Sequence, residues 1–208
     1  HAVRSCRVAL GMQNALLDLR KKWVSEGDKW PQIVHDMRMR IGINSGEIVT
    51  GNMGSAVRMN YTMMGDSVNL AARLEEAAKQ YGIFTQVSMF TKDMLEDKFV
   101  MRELDTMRVV GKKEPVTTYD LLGEVGKTEE DLLTLQNLFH EALHLYKNQK
   151  WDEAIEGFNK SLEYENKRFP DLEGKKTNPS LVYIDRCNQF KENPPPEKWD
   201  GVFTLTSK

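Results

Sequence analysis

Residues 61–75 read YTMMGDSVNLAARLE, and the change of rhythm inside them decides what kind of fold the chain makes. Tyr61 to Met64 suit a short strand, Gly65 breaks it, and apolar residues then return every three or four positions. Leu70, Leu74, Ala77 and Ala78 form the buried stripe of a helix that Asp66 or Ser67 can cap and Gly82 stops. On another face of that helix, Asn69 in the first turn and Arg73 four residues later project together. An amide and a guanidinium beside a helix N-terminus suit a phosphate group, because the Arg fork matches phosphate oxygens and the terminus carries partial positive charge. The spacing equally allows Asn69 to be solvated and Arg73 to pair with Glu75 or Glu76.

Upstream, HAVRSCRVALGMQNALLDLRKKW sets Ala2, Cys6, Ala9, Leu16, Leu19 and Trp23 at helical steps and predicts a helix packed through that stripe. After a loop holding Gly27, Asp28 and Pro31, MRMRIGIN alternates from Met37 to Asn44, the pattern of a half-buried strand. Ser45-Gly46-Glu47 reads as a turn and IVTGN as the return strand, so these two segments are expected to form a β-hairpin. Downstream, IFTQVS reads as a strand and SMFTKDMLED as a short helix. FVMREL, TMRVV and VTTYDLL read as strands, with GKKEP a turn whose Pro115 cannot sit inside a ladder. This mixture predicts an α+β sandwich rather than a doubly wound parallel sheet.

The 208 residues are enough for one full domain and a smaller appendage. A change of texture at Gly123 to Lys127 divides residues 1–124, where strands and helices mix, from residues 125–208, which are helical and then Pro-rich. Lys and Arg total 29 against 31 Asp and Glu, so a net charge of −2 gives no electrostatic case for nucleic acid or an anionic membrane as the main partner. Cys6 and Cys187 make no disulfide framework, which favours a reducing, cytoplasmic setting. No run of about 18 apolar residues and no secretory signal occurs, while a membrane anchor elsewhere in a longer parent stays open.

In the second part, Thr128 with Glu130 and Asp131 reads as a helix start. The spacing of Phe139, Ala142, Tyr146, Trp151, Ala154, Phe158 and Leu162 resembles a tetratricopeptide helix pair joined by a turn at Asn148 to Lys150. One such unit cannot bury its face alone, so it is expected to pack on the first part, a second chain or the remaining tail. A further helix is expected from Ser180 to Lys191. Pro194 to Pro196 then stiffen an end carrying Trp199, Val202 and Phe203, which should seek a surface. His140, Glu141 and His144 spell H-E-x-x-H, but a zinc protease needs a third ligand, and the extended form of the motif fails at Lys147 and Lys150. The motif is therefore expected to be part of helix packing.

Three ordered stretches, RIGINSGEIVTGNMGS, YTMMGDSVNLAARLE and LDTMRVVGKKEPVTTYDL, closely resemble the later half of class III nucleotidyl cyclase catalytic domains of the bacterial type. The resemblance covers roughly Val34 to Leu122. It implies a partial ferredoxin-like cyclase sandwich, head-to-tail homodimerisation, and conversion of a nucleoside triphosphate to its 3′,5′-cyclic monophosphate and pyrophosphate with two Mg²⁺ or Mn²⁺ ions. By position, Asn69 matches the residue that orients the ribose, Arg73 the one that stabilises charge on the α-phosphate, and Thr62 the one that reads the purine, here pointing to ATP. Thr62 alone does not exclude guanine, and it also reads as an ordinary β-branched strand residue. The phosphate-binding Lys of many members is replaced by Val110. Lys112 or Lys113 stands close enough in sequence to take its place, or is a solvated turn lysine.

The resemblance puts the two metal-binding aspartates upstream of His1, so this stretch is expected to be a piece of a larger cyclase and inactive alone. An upstream regulatory domain fits that expectation. The reading from a different class is a non-catalytic module that dimerises through the cyclase-like half and binds a partner through the helical arm.

Overall fold

The structure, a computed structural model, describes residues 1–107, 115–174, 176–196 and 199–201. In chain order the elements are α1 (Ala2–Ser25), the single turn α2 (Gln32–His35), β1 (Ile41–Ile43), β2 (Val49–Ser55), β3 (Arg58–Met64), α3 (Asp66–Tyr81), β4 (Thr85–Ser88) and α4 (Met89–Lys92). There follow β5 (Phe99–Met107), β6 (Val116–Glu124), α5 (Glu130–Lys147), α6 (Trp151–Arg168) and α7 (Pro179–Glu192). Four strands form one mixed sheet in the order β1-β4-β6-β5, with β1 parallel to β4 and the other pairs antiparallel. The α+β architecture expected from the mixed pattern is present.

Two helices cover opposite faces of this sheet because strand side chains alternate between them. On one face Ala2, Cys6 and Ala9 of α1 pack with Val87, Leu95, Phe99, Met101 and Leu121. Small residues on α1 let it lie close. Only the first half of its predicted stripe is buried: Leu16 and Trp23 are partly covered, and Leu19 is 43% exposed. On the other face Leu70 and Leu74 of α3 meet Val116, and Ala78 and Tyr81 meet Ile83 and Leu104.

The hairpin expected across Ser45 to Glu47 does not form. The backbone of β1 pairs in parallel with β4, Ile41 opposite Thr85 and Ile43 opposite Val87, and the hairpin is β2 with β3, Val49 opposite Met64. Alternation along MRMRIGIN specifies faces but not the partner strand, and only Ile41 to Ile43 of that run is strand. FVMREL and the start of TMRVV are likewise one strand, β5, irregular between Glu103 and Asp105 where it pairs with β6. Val110, Lys112 and Lys113 lie outside the described residues.

The helices after residue 124 are built into the sheet. Arg102 of β5, fully buried, donates to Asp120 of β6 at 2.8 Å and to Glu165 of α6, and Arg168 of α6 also reaches Asp120. Burial works to raise the Asp120 carboxyl, but Arg168 and Arg102 outweigh it and hold the group below the usual carboxylate range. Phe139, Ala142, Leu143, Tyr146, Ala154, Phe158, Tyr183 and Cys187 form a second core among α5, α6 and α7. The pair therefore packs on both the sheet and the tail; the helices and the turn at Asn148 to Lys150 occur as expected, but nothing supports a tetratricopeptide identity. Thr128 is not the cap: Glu129 precedes α5, and the Thr128 hydroxyl donates to Glu124 O. Trp199 closes this core, its ring 5.2 Å from Tyr146 and 5.1 Å from Phe190. Val202 and Phe203 lie outside the described residues.

Candidate active site

Helix α3 follows β3 through Gly65, whose φ of 140° few other residues adopt. Gly65, not Asp66 or Ser67, is the N-cap, and no side chain caps the helix. The N–H groups of Val68 and Asn69 both donate to Gly65 O at 3.1 Å. Asp66 sits in the first turn as a negative charge, which favours the helix but opposes a phosphate at that point.

Two devices fix this end of α3 on the sheet. Gly42 of β1 lies so close beneath it that a Cβ would stand 2.2 Å from Ala71 O and 2.6 Å from Glu75 N. Asn44, just past β1, donates from Nδ2 to Ser67 O at 3.0 Å and accepts from the Ser88 hydroxyl at 2.6 Å, tying the first turn of the helix to the end of β4. Sequence reasoning treated Gly42 and Asn44 as strand residues. The available signal was a glycine and an amide in an otherwise apolar alternation.

With Leu70 and Leu74 buried, Asn69 and Arg73 both stand on the exposed side of α3, one turn apart. Glu75, one of the partners considered for Arg73, is engaged by Arg40 Nε at 2.9 Å. Thr62 lies on β3, exposed, directly opposite Gly51 of β2, and a Cβ at Gly51 would meet open space. The hairpin also exposes Val49, Met59, Tyr61, Met63 and Met64. A cleft of about 840 Å³ between α1 and α6, lined in part by Leu17, Arg20, Phe84 and Arg168, contains none of the three candidate residues. They lie instead on open surface.

Of the H-E-x-x-H residues, His140 serves the fold, and Glu141 and His144 are exposed. His140 Nε2 accepts the Glu103 N–H of β5 at 2.9 Å, and one turn earlier Gln136 donates to Met101 O at 2.7 Å. Two α5 side chains thus satisfy two backbone groups on the outer edge of β5. His144 is exposed beside Asn148. Among the described residues no group of three or more His, Cys, Asp or Glu is placed to hold a metal ion. These residues do not fit the hard-oxygen site that a divalent cation requires. Nor, among the described residues, is any helix long and apolar enough to cross a membrane.

Residues 1–123 match the family described as the adenylate and guanylate cyclase catalytic domain. Over 155 residues, 72% of this chain and 7% of the relative, the sequence is 33% identical to the terminal-differentiation-specific adenylate cyclase of Dictyostelium discoideum. Over 125 residues, 60% of this chain and 18% of the relative, it is 32% identical to adenylate cyclase 1 of Rhizobium meliloti. The crystal structure of the adenylyl cyclase CyaB from P. aeruginosa superposes with a TM-score of 0.50 at 29% identity, covering 62% of each chain. The chain thus spans only a small part of the length of these curated relatives.

Proposed function

The chain belongs to the adenylate and guanylate cyclase catalytic-domain family, and from that premise we propose that it is the later part of an adenylate cyclase converting ATP to 3′,5′-cyclic AMP and pyrophosphate. The observation that carries this reading is the placement of Asn69 and Arg73 one turn apart on the solvent side of α3. Asn69 orients the ribose so that its 3′-hydroxyl lines up with the α-phosphate. Arg73 neutralises charge on the phosphoryl group in transit. Phosphoryl transfer asks a protein for position and charge rather than covalent chemistry, and an Arg fork on a braced helix supplies both.

Thr62 is assigned to the purine: its hydroxyl accepts from the adenine amino group, and Gly51 opposite leaves room for a ring. A hydroxyl also donates, so the preference for ATP leans on two of the curated relatives, which are adenylate cyclases, although guanylate cyclases match as well. Lys112, or Lys113 beside it, is proposed for the triphosphate tail in place of the lysine that Val110 replaces. A divalent cation bound in the whole enzyme would neutralise charge at the phosphates, and among the described residues no ligand cluster is placed to hold it. The exposed apolar side chains of the β2–β3 hairpin support a homodimer, which would also give the open site its second wall.

The test is nucleotide turnover by the full-length protein with Mn²⁺ and either ATP or GTP. Arg73→Ala is expected to lower kcat about 10²- to 10³-fold, with an unchanged circular dichroism spectrum. Wild-type turnover in that variant would overturn the site assignment, and cyclic GMP in place of cyclic AMP would overturn the base assignment. No cyclic nucleotide from either substrate would instead favour a non-catalytic dimerising module.

A further inference from the structure

The last helix of the chain is seated on the far end of the helix that carries Asn69 and Arg73. Tyr81, the final residue of α3, donates from its hydroxyl to Asp105 Oδ2 of β5. Arg186 of α7 reaches both partners, donating from Nη1 to Asp105 Oδ2 at 2.7 Å and from Nη2 to Tyr81 Oη at 3.1 Å. All three residues are buried. The Arg186 guanidinium also lies 5.0 Å from the Tyr183 ring, and the Tyr183 hydroxyl donates to Leu104 O. Val182 packs against Ala78, Tyr81, Ile83 and Leu104. One residue past α3, Gly82 adopts φ 64° beneath the segment leading into α7, and a Cβ there would stand 1.9 Å from Thr177 O.

A plain cover for apolar surface would need only residues such as Val182. A guanidinium that bridges a carboxylate and a phenol hydroxyl adds little net stability when buried, but it fixes direction, because the donors of its planar fork are held in a set geometry. Tyr81 lies twelve residues after Asn69, about 18 Å along the helix axis. Over that length a packed helix moves as a stiff rod, so a rotation allowed at Tyr81 reappears at Asn69 and Arg73. The other end is already tied by Asn44.

We propose that α7 is a positioning element for the catalytic helix: Arg186, acting through Tyr81 and Asp105, sets the rotation of α3 about its axis and so the aim of Asn69 and Arg73. The proposal rests on the roles given above to those two residues. It makes the C-terminal helices a lever on turnover, since anything that lifts α7 releases the helix that aligns the nucleotide.

The experiment uses the full-length protein and two readouts, steady-state turnover of ATP with Mn²⁺ and hydrogen exchange of the α3 amides. Tyr81→Phe keeps the ring and removes the bridge; Arg186→Lys keeps the charge and removes the fork; Arg186→Met removes both. Misplacing reacting groups by about 1 Å costs up to roughly 10²-fold in rate. Expected kcat losses are therefore about 3- to 10-fold for Tyr81→Phe and about 30- to 100-fold for Arg186→Met, with Arg186→Lys between them and KM for ATP within about twofold of wild type. Exchange should rise at residues 66–73 while β6 stays protected. Folded variants with wild-type kcat and wild-type exchange at residues 66–73 overturn the proposal. If Arg186→Met does not fold, Tyr81→Phe decides. Should Arg73→Ala keep full turnover, the catalytic reading fails by itself, and the exchange at residues 66–73 still decides whether α7 steadies α3.

Discussion

His140 accepts the Glu103 N–H from a half-buried position on α5, and burial sets the sign of its response to acid. Burial, first of all, holds the imidazole below its ordinary range; Glu103 pulls the other way, and Arg102 and Lys147 add to the depression. The folded chain therefore prefers the neutral ring. Its contribution to stability is complete above the ordinary histidine value of about 6.5 and declines as the pH falls below that toward the lowered folded value, because the unfolded chain takes the proton first. Thermal unfolding followed from pH 7.5 to 5.5 should show a falling midpoint. His140→Gln, which keeps an acceptor but does not titrate there, should flatten the part of the slope due to His140. An unchanged slope in that variant would assign the pH dependence to other groups. At this scale Asn69 and Arg73 were legible, since a four-residue step places both on one helix face. Asn44 and the Tyr81–Asp105–Arg186 bridge were not, because their partners lie tens of residues away and no local pattern names them.

Among the elements, the stripe and the glycine stop of α3 were read from local periodicity and the C-cap, while its N-cap is Gly65 and not a capping side chain. The strands were read as strands, but the first hairpin was placed at the wrong turn, while the antiparallel pairing of β5 with β6 is as expected. A hairpin is a local decision written in a turn, whereas the parallel pairing of β1 with β4 depends on the α3 crossover between them. What permits that crossover to pack is Gly42. Adding one methyl group there drives it into the backbone at Ala71 O, which no rotamer change relieves. Gly42→Ala should destabilise the protein by about 1–3 kcal/mol or more, measured by urea unfolding, with turnover falling alongside as α3 is pushed off β1. Wild-type stability in this variant would mean that α3 sits farther from the sheet than described.

For the whole molecule, the change in composition near Gly123 marks where strands give way to helices, yet the two parts share buried charge through Arg102, Asp120, Glu165 and Arg168. Composition reports what a segment is made of and not what it is packed against, so the docking of the helices on the sheet was invisible in it. That docking has an uneven result at the sheet's margins. On the outer edge of β5, Met101 O and the Glu103 N–H are taken by Gln136 and His140, while among the described residues no strand pairs with the outer edge of β1. Gln136→Leu combined with His140→Leu should therefore produce larger species than wild type by light scattering at matched concentration; equal sizes would show that those two side chains do not guard the edge. In polymer terms the two margins of the described sheet differ in valence: β1 has a backbone edge with no strand on it among the described residues, whereas two groups on the β5 edge are already spoken for by α5 side chains.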